Sequence, residues 1–203
     1  MRIQIVVACV LTLGVSAEAQ RPTFREMVET SRSDVSVTVT GSHPRFDFDR
    51  ILRGTDVVVR AIVGQAQTYL SDDGADIFTT YELMNPDVLF SVKPLPRVPR
   101  GEILAPDALA LTQRGGAVPI EGFTATMLDS DMVPLTFGLD VVLLLHEHDR
   151  KYWLSENYSV FQVRDATIVP LGRVPDPPTR FSGMKLDAFV RDILTRRRQV
   201  ANK

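Results

Sequence analysis

The chain has 203 residues and a formal net charge of −2, with 44% hydrophobic and 24% charged residues. That balance provides no basic footprint for nucleic acid and no strong field of either sign, and the apolar content is that of a globular domain. A single cysteine, Cys9, rules out a disulfide framework within the chain and a zinc site built on several thiolates.

The amino terminus, MRIQIVVACVLTLGVSAEAQ, sets Arg2 ahead of an apolar stretch from Ile3 to Val15 and closes on the small-x-small run Ala17-Glu18-Ala19. This is the pattern of a secretory signal peptide cut after Ala19, and it predicts a secreted or periplasmic protein. The apolar stretch is shorter than the roughly 18 to 20 residues that span a bilayer, so no transmembrane anchor is expected in the mature chain. Cys9 leaves with the leader, and the apolar run continues past it, unlike a lipoprotein box. The expected organisation is a leader over 1–19, an N-terminal segment with one strand over 20–45, and a β domain over 46–203 that includes a helix at 184–199.

Residues 21–34 are polar and mixed in charge, and read as loosely ordered. VSVTVTG, residues 35–41, alternates strictly and predicts a strand with one wet face. Phe46, Ile51 and Leu52 suit a helical turn closed by Gly54. TDVVVRAIVG, residues 55–64, is rich in β-branched residues and reads as the central core strand. After the acidic loop SDDGAD, residues 77–92 predict a long strand bent at Asn85-Pro86, because proline cannot donate to a ladder. The segment from Lys93 to Asp107 holds four prolines and reads as an extended loop.

Two strands around Gly115-Gly116 read as a hairpin, since paired glycines supply the positive φ of a tight turn. A second hairpin is expected over LDVVLLLHEHDRKYWL and a third around Asp165-Ala166, before the prolines at 175, 177 and 178. In the last segment Leu186, Phe189, Val190, Ile193 and Leu194 fall on one face of a helix, while Arg191 and Arg196 to Arg198 occupy the rest. The sum is a mainly β fold: a small closed or nearly closed antiparallel barrel with a C-terminal amphipathic α-helix. An immunoglobulin-like sandwich competes, but the long bent strand suits a barrel better.

The order TDVVVRAIVG, IFTTYELMNPDVLFSV, LALTQRGG and DVVLLLHEHDRKYWLSENYSVFQVRDATIVPL resembles a group of uncharacterised exported bacterial proteins. It is also similar to the OB-like β-barrel found in netrin-like domains and tissue inhibitors of metalloproteinases. The likeness runs from Thr55 to Leu171 and implies an OB-like fold and an exported location. It does not carry inhibitory function over, because such inhibitors use an amino-terminal cysteine and disulfides that the mature chain lacks.

Candidate chemistry is sparse. His146 and His148 in a strand share a face, so two imidazoles can approach one metal, with His43 or a carboxylate as a third ligand. The H-E-x-x-H motif fails at Arg150, and the simpler expectation is that HEHDRK is the solvated tip of a hairpin. Ser182 and Lys185 match S-x-x-K, but without the companion motifs Ser182 reads as a helix cap. Asp72, Asp73 and Asp76 read as a turn, and Arg196 to Arg198 as a solvated helix end. Tyr69, Tyr81, Tyr152, Trp153 and Tyr158 offer a stacking surface for sugar or peptide if they face outward; Trp153 reads as core. The expectation is a non-catalytic binding module without a cofactor, engaging a protein or cell-envelope component and not nucleic acid. An envelope hydrolase, metal-assisted through His146 and His148 or serine-dependent through Ser182 and Lys185, is the alternative.

Overall fold

The computed structural model describes residues 5–6, 21–40, 47–95, 109–149, 151–156, 159–171 and 179–201. In chain order the elements begin with β1 (Ile5–Val6), α1 (Phe24–Ser31), β2 (Val35–Val39), α2 (Phe48–Arg53), β3 (Val57–Leu70) and β4 (Ile77–Ser91). They continue with β5 (Leu109–Arg114), β6 (Gly116–Ile120), β7 (Phe123–Asp129), β8 (Asp140–His148) and β9 (Lys151–Leu154). The last are β10 (Val160–Arg164), β11 (Thr167–Pro170), a 3-10 turn at Thr179–Phe181, and α3 (Leu186–Ala201). The fold is mainly β with a C-terminal helix, as the strand patterns predict. No helix among the described residues is long and apolar enough to cross a membrane. The chain divides into two compact units: Met1–Gly41, Gln67–Thr79 and Gln113–Met132 form one, and Ser42–Ala66, Thr80–Thr112 and Val133–Lys203 the other.

The first unit carries a sheet in the order β1-β2-β7-β6. β2 runs parallel to β7, pairing Val35 with Ala125 through Val39 with Asp129, and Ile5 and Val6 pair with Val35 and Ser36. Apart from those two residues, the expected leader lies outside the described residues. The stretch read as loosely ordered contains α1. Thr23 accepts from the Glu26 amide while the Glu26 carboxylate accepts from the Thr23 amide, a reciprocal capping box that fixes the first turn. Phe24 and Val28 then bury against Ile77, Val118, Ala125 and Met127. The hairpin expected at Gly115-Gly116 is also displaced. β6 pairs with β7 across Glu121-Gly122, both at positive φ, whereas Gly115 and Gly116 carry the chain between two different sheets.

In the second sheet the order is β11-β10-β8-β3-β4-β5-β9, and a further β8–β9 pairing closes β8, β3, β4, β5 and β9 into a ring of five strands. β3 and β8 are antiparallel from Val57↔Leu145 to Ile62↔Asp140, whereas Leu111 and Thr112 of β5 pair in parallel with Tyr152 and Trp153 of β9. An all-antiparallel arrangement was the expectation. Strand direction cannot alternate all the way round a closed ring with an odd number of strands, so one pair must be parallel.

Alternation divides the two faces of these strands. Val58, Val142 and Leu144 pack on one face against Phe48, Ile51, Leu52, Phe189 and Ile193 from α2 and α3. Val57, Val59, Val141, Leu143 and Leu145 point the opposite way, into the ring, and are equally buried. Phe48, Phe161, Phe181 and Phe189 hold the helices down, with ring centroids 4.7 Å apart for Phe48–Phe181 and for Phe161–Phe189. The proline-rich loop from residue 96 onward, the prolines at 175–178, His43 and Tyr158 lie outside the described residues.

Candidate functional site

A bend in β4 opens the outer face of the ring. Ile77, Thr79, Tyr81 and Leu83 alternate as buried positions, but Asn85 adopts φ 50° and Pro86 follows it. Asparagine tolerates the left-handed region and proline donates no hydrogen bond, so the side-chain parity shifts there while the strand runs on to Ser91. Beyond that point Leu89 and Phe90 pack toward the helices.

The face that carries Val58 and Val142 carries Arg60, Ile62 and Asp140 one pleat further on, where the helical cover ends. Arg60, Ala61 and Ile62 of β3, Asn85 and Asp87 of β4, and Asp140 of β8 line a cleft of about 210 Å³. At its floor Arg60 Nε donates to Asp140 Oδ1 at 3.1 Å and Arg60 Nη2 donates to Oδ2 at 2.7 Å, a bidentate fork. That hydrogen-bonded pairing, together with the charges of Asp140 and Asp87, holds the guanidinium above its ordinary value against the opposing cost of burial. The Asp87 side chain is exposed and has no hydrogen bond or ion pair among the described residues.

A loop brings an aromatic ring into the same stretch of chain. Val133 and Leu135 are buried, the Gly138 amide donates to the Val63 carbonyl, and the Val63 amide donates to the Leu139 carbonyl, both at 2.8 Å. Phe137 is left 73% exposed between these anchors, three residues before Asp140. The arrangement presents a fixed guanidinium, two carboxylates and a carboxamide beside apolar surface, which suits recognition of a small polar group with an apolar stem.

Sequence reading did not single out these residues, which come from three strands. A usable signal was nevertheless there: Arg60 interrupts the run VVVRAIV on the face of Val58, and Asp140 opens the otherwise apolar LDVVLLL.

The histidines lie elsewhere on β8. The strand continues through the stretch read as a hairpin tip, pairing His146 with Trp153 and His148 with Lys151, with Asp149 in the turn after it. His146 Nδ1 is 3.1 Å from the Leu154 carbonyl oxygen and donates to it, whereas His148 Nε2 lies 3.3 Å from an Asp149 oxygen at an exposed position. Among the described residues no group of three or more His, Cys, Asp or Glu side chains gathers around a common point.

Ser182 and Lys185 do not share a helical turn. Gly183 at φ 76° lies between them, Lys185 bridges to Thr167, and α3 starts only at Leu186, so Ser182 is an exposed turn residue and not the helix cap. The acidic loop is a turn: Asp73 accepts from the Ser71 hydroxyl and the Ala75 amide, and Asp76 pairs with Arg114. Two of the three terminal arginines are engaged. Arg196 chelates Asp192, while Arg197 donates to the Thr55 carbonyl and lies over Phe90. Tyr152 takes the buried position of its strand and Trp153 the half-buried one, the reverse of the expectation for Trp153. No protein-family model, no curated protein and no solved structure matches the chain.

Proposed function

We propose that the protein is an exported, non-catalytic binding module and that the cleft around Arg60, Asp87 and Asp140 is its recognition site. The observation that carries this reading is the bidentate Arg60–Asp140 fork set in an open concavity at the edge of the helical cover. A side-chain pair locked by two charge-assisted hydrogen bonds is preorganised, and so loses little conformational freedom when a ligand binds. The leader pattern at residues 1–19 supports export to the periplasm or beyond, and kinship with exported OB-like proteins rests on the strand patterns from Thr55 to Leu171. The partner in this reading is a protein or a cell-envelope component.

A photo-reactive residue in place of Val88, which is 38% exposed beside Asp87, tests the assignment, with one in place of Leu128, 54% exposed on β7, as the control. The expected result in cell envelopes is a discrete adduct from position 88 that disappears when Asp87→Ala is added. Equal adducts at both positions, or an adduct indifferent to Asp87→Ala, would remove the cleft as the recognition site.

A further inference from the structure

Charge within the cleft is not balanced. Arg60 directs both Nε and Nη2 at Asp140, so one positive and one negative charge are already matched. Asp87 is the remainder. Its field reaches Arg60, yet its own carboxylate has no hydrogen bond or ion pair among the described residues. A group entering the cleft therefore meets one uncompensated negative charge beside the Asn85 carboxamide and the apolar surface of Ile62. An anion would be repelled by Asp87 and would have to pull Arg60 from Asp140. A neutral group would desolvate Asp87 without returning a counter-charge. A monocation with an apolar stem satisfies both the charge and the surface.

We infer that the cleft takes the ammonium or guanidinium of a lysine or arginine side chain on a partner polypeptide, with the cation against Asp87 and the methylene stem along Ile62. A cleft of about 210 Å³ suits one side chain, carried on an extended peptide backbone. This assignment rests on the cleft being the recognition site proposed above.

The test is a titration of the isotope-labelled mature chain, followed by amide chemical shifts, with four probes: blocked arginine amide, blocked lysine amide, blocked norleucine amide and maltose. The two cations are expected to give saturable shifts at Ala61, Ile62 and Asp87, and norleucine much weaker ones. Asp87→Asn is expected to weaken the cations about two- to fivefold, the scale of one lost exposed charge partner, whereas Asp87→Glu restores binding. Raising the salt concentration should weaken the cations and leave norleucine unchanged. Should Asp87→Asn fail to fold, that salt dependence in the unmodified chain decides. Norleucine binding as well as arginine, or cation binding indifferent to both Asp87→Asn and salt, overturns the inference. If maltose alone shifts these amides, the cleft remains a binding site but not for a cation. If no probe shifts them and the adduct at position 88 is also missing, the binding-module reading fails with it.

Discussion

At Tyr152 a single phenol couples the ring to pH. The side chain is 4% exposed, and burial first, then the charges of Glu147 and Asp56, pushes its pKa from 10.0 up to about 12. The folded state thus holds this proton more tightly than the unfolded chain does. Its contribution to stability is fully present below pH 10 and is lost as pH rises through 12, in all about 2 to 3 kcal/mol. Tyr152→Phe should therefore leave urea stability near neutral pH within about 1 kcal/mol and flatten its alkaline decline; an unchanged decline would place the titrating group elsewhere. Asp129 in the other unit follows the same sign. Burial raises its pKa, with Asp131 and Asp76 acting the same way and the Asp131 amide and Arg114 opposing. The stability it confers is present below the ordinary carboxylate value and lost as pH rises through the raised one. Asp129→Asn is expected to raise the urea midpoint at neutral pH and to make no difference in acid. Gly116 is held by space as well as by backbone: at φ 131° an added Cβ would come within 2.5 Å of Thr79 Oγ1 and 2.6 Å of Thr68 Cγ2. Gly116→Ala should cost about 2 to 4 kcal/mol in denaturant melts, and a near-neutral result would mean that the two threonines repack. The glycine pair was conspicuous in the sequence, but its purpose was not, because these contacts come from β3 and β4.

At the scale of elements, legibility followed length and period. α3 announced itself because Leu186, Phe189 and Ile193 recur at helical spacing, and β3 because its β-branched run is apolar on both faces, as a strand between the ring interior and the helices must be. α1 was missed: it has eight residues, and only Phe24, Met27 and Val28 form its apolar stripe. The decisive signal was local, Thr23 three residues before Glu26, a capping box that propensity does not weigh. Thr23→Ala is expected to lower stability by about 1 kcal/mol and to speed amide exchange in α1 selectively; equal effects throughout the chain would argue that the cap acts on global unfolding. The β5–β6 hairpin was misread for a related reason. Positive φ at Gly115-Gly116 specifies a turn without specifying which strand comes next, and Glu121-Gly122 offers the same chemistry a few residues later.

At the scale of the whole molecule, closure of the ring and assembly of the cleft were the least legible features, because both depend on pairings distant in sequence. Arg60 and Asp140 stand 80 positions apart, and only the register Ile62↔Asp140 sets them on one face. A shift of one residue in that register would turn Arg60 into the ring and expose Val59, so burial of the alternate valines fixes the cleft as firmly as it fixes the core. β8 is the strand on which this arrangement depends, since it pairs with β3 along one edge and with β10 and then β9 along the other, which completes the ring. Strands paired on both sides and buried on both faces open only with global unfolding, whereas edge strands open locally. Native-state hydrogen exchange should accordingly be slowest at Val142, Leu143 and Leu144. It should be faster in β6, which among the described residues pairs only with β7. Amides of β6 as slow as those of β8 would contradict this hierarchy. The slow amides should also track global stability measured by denaturant. Val142→Thr, which sets a hydroxyl against the helical layer directly across from Arg60, is expected to speed the exchange of these amides and to lower the denaturant midpoint together with them.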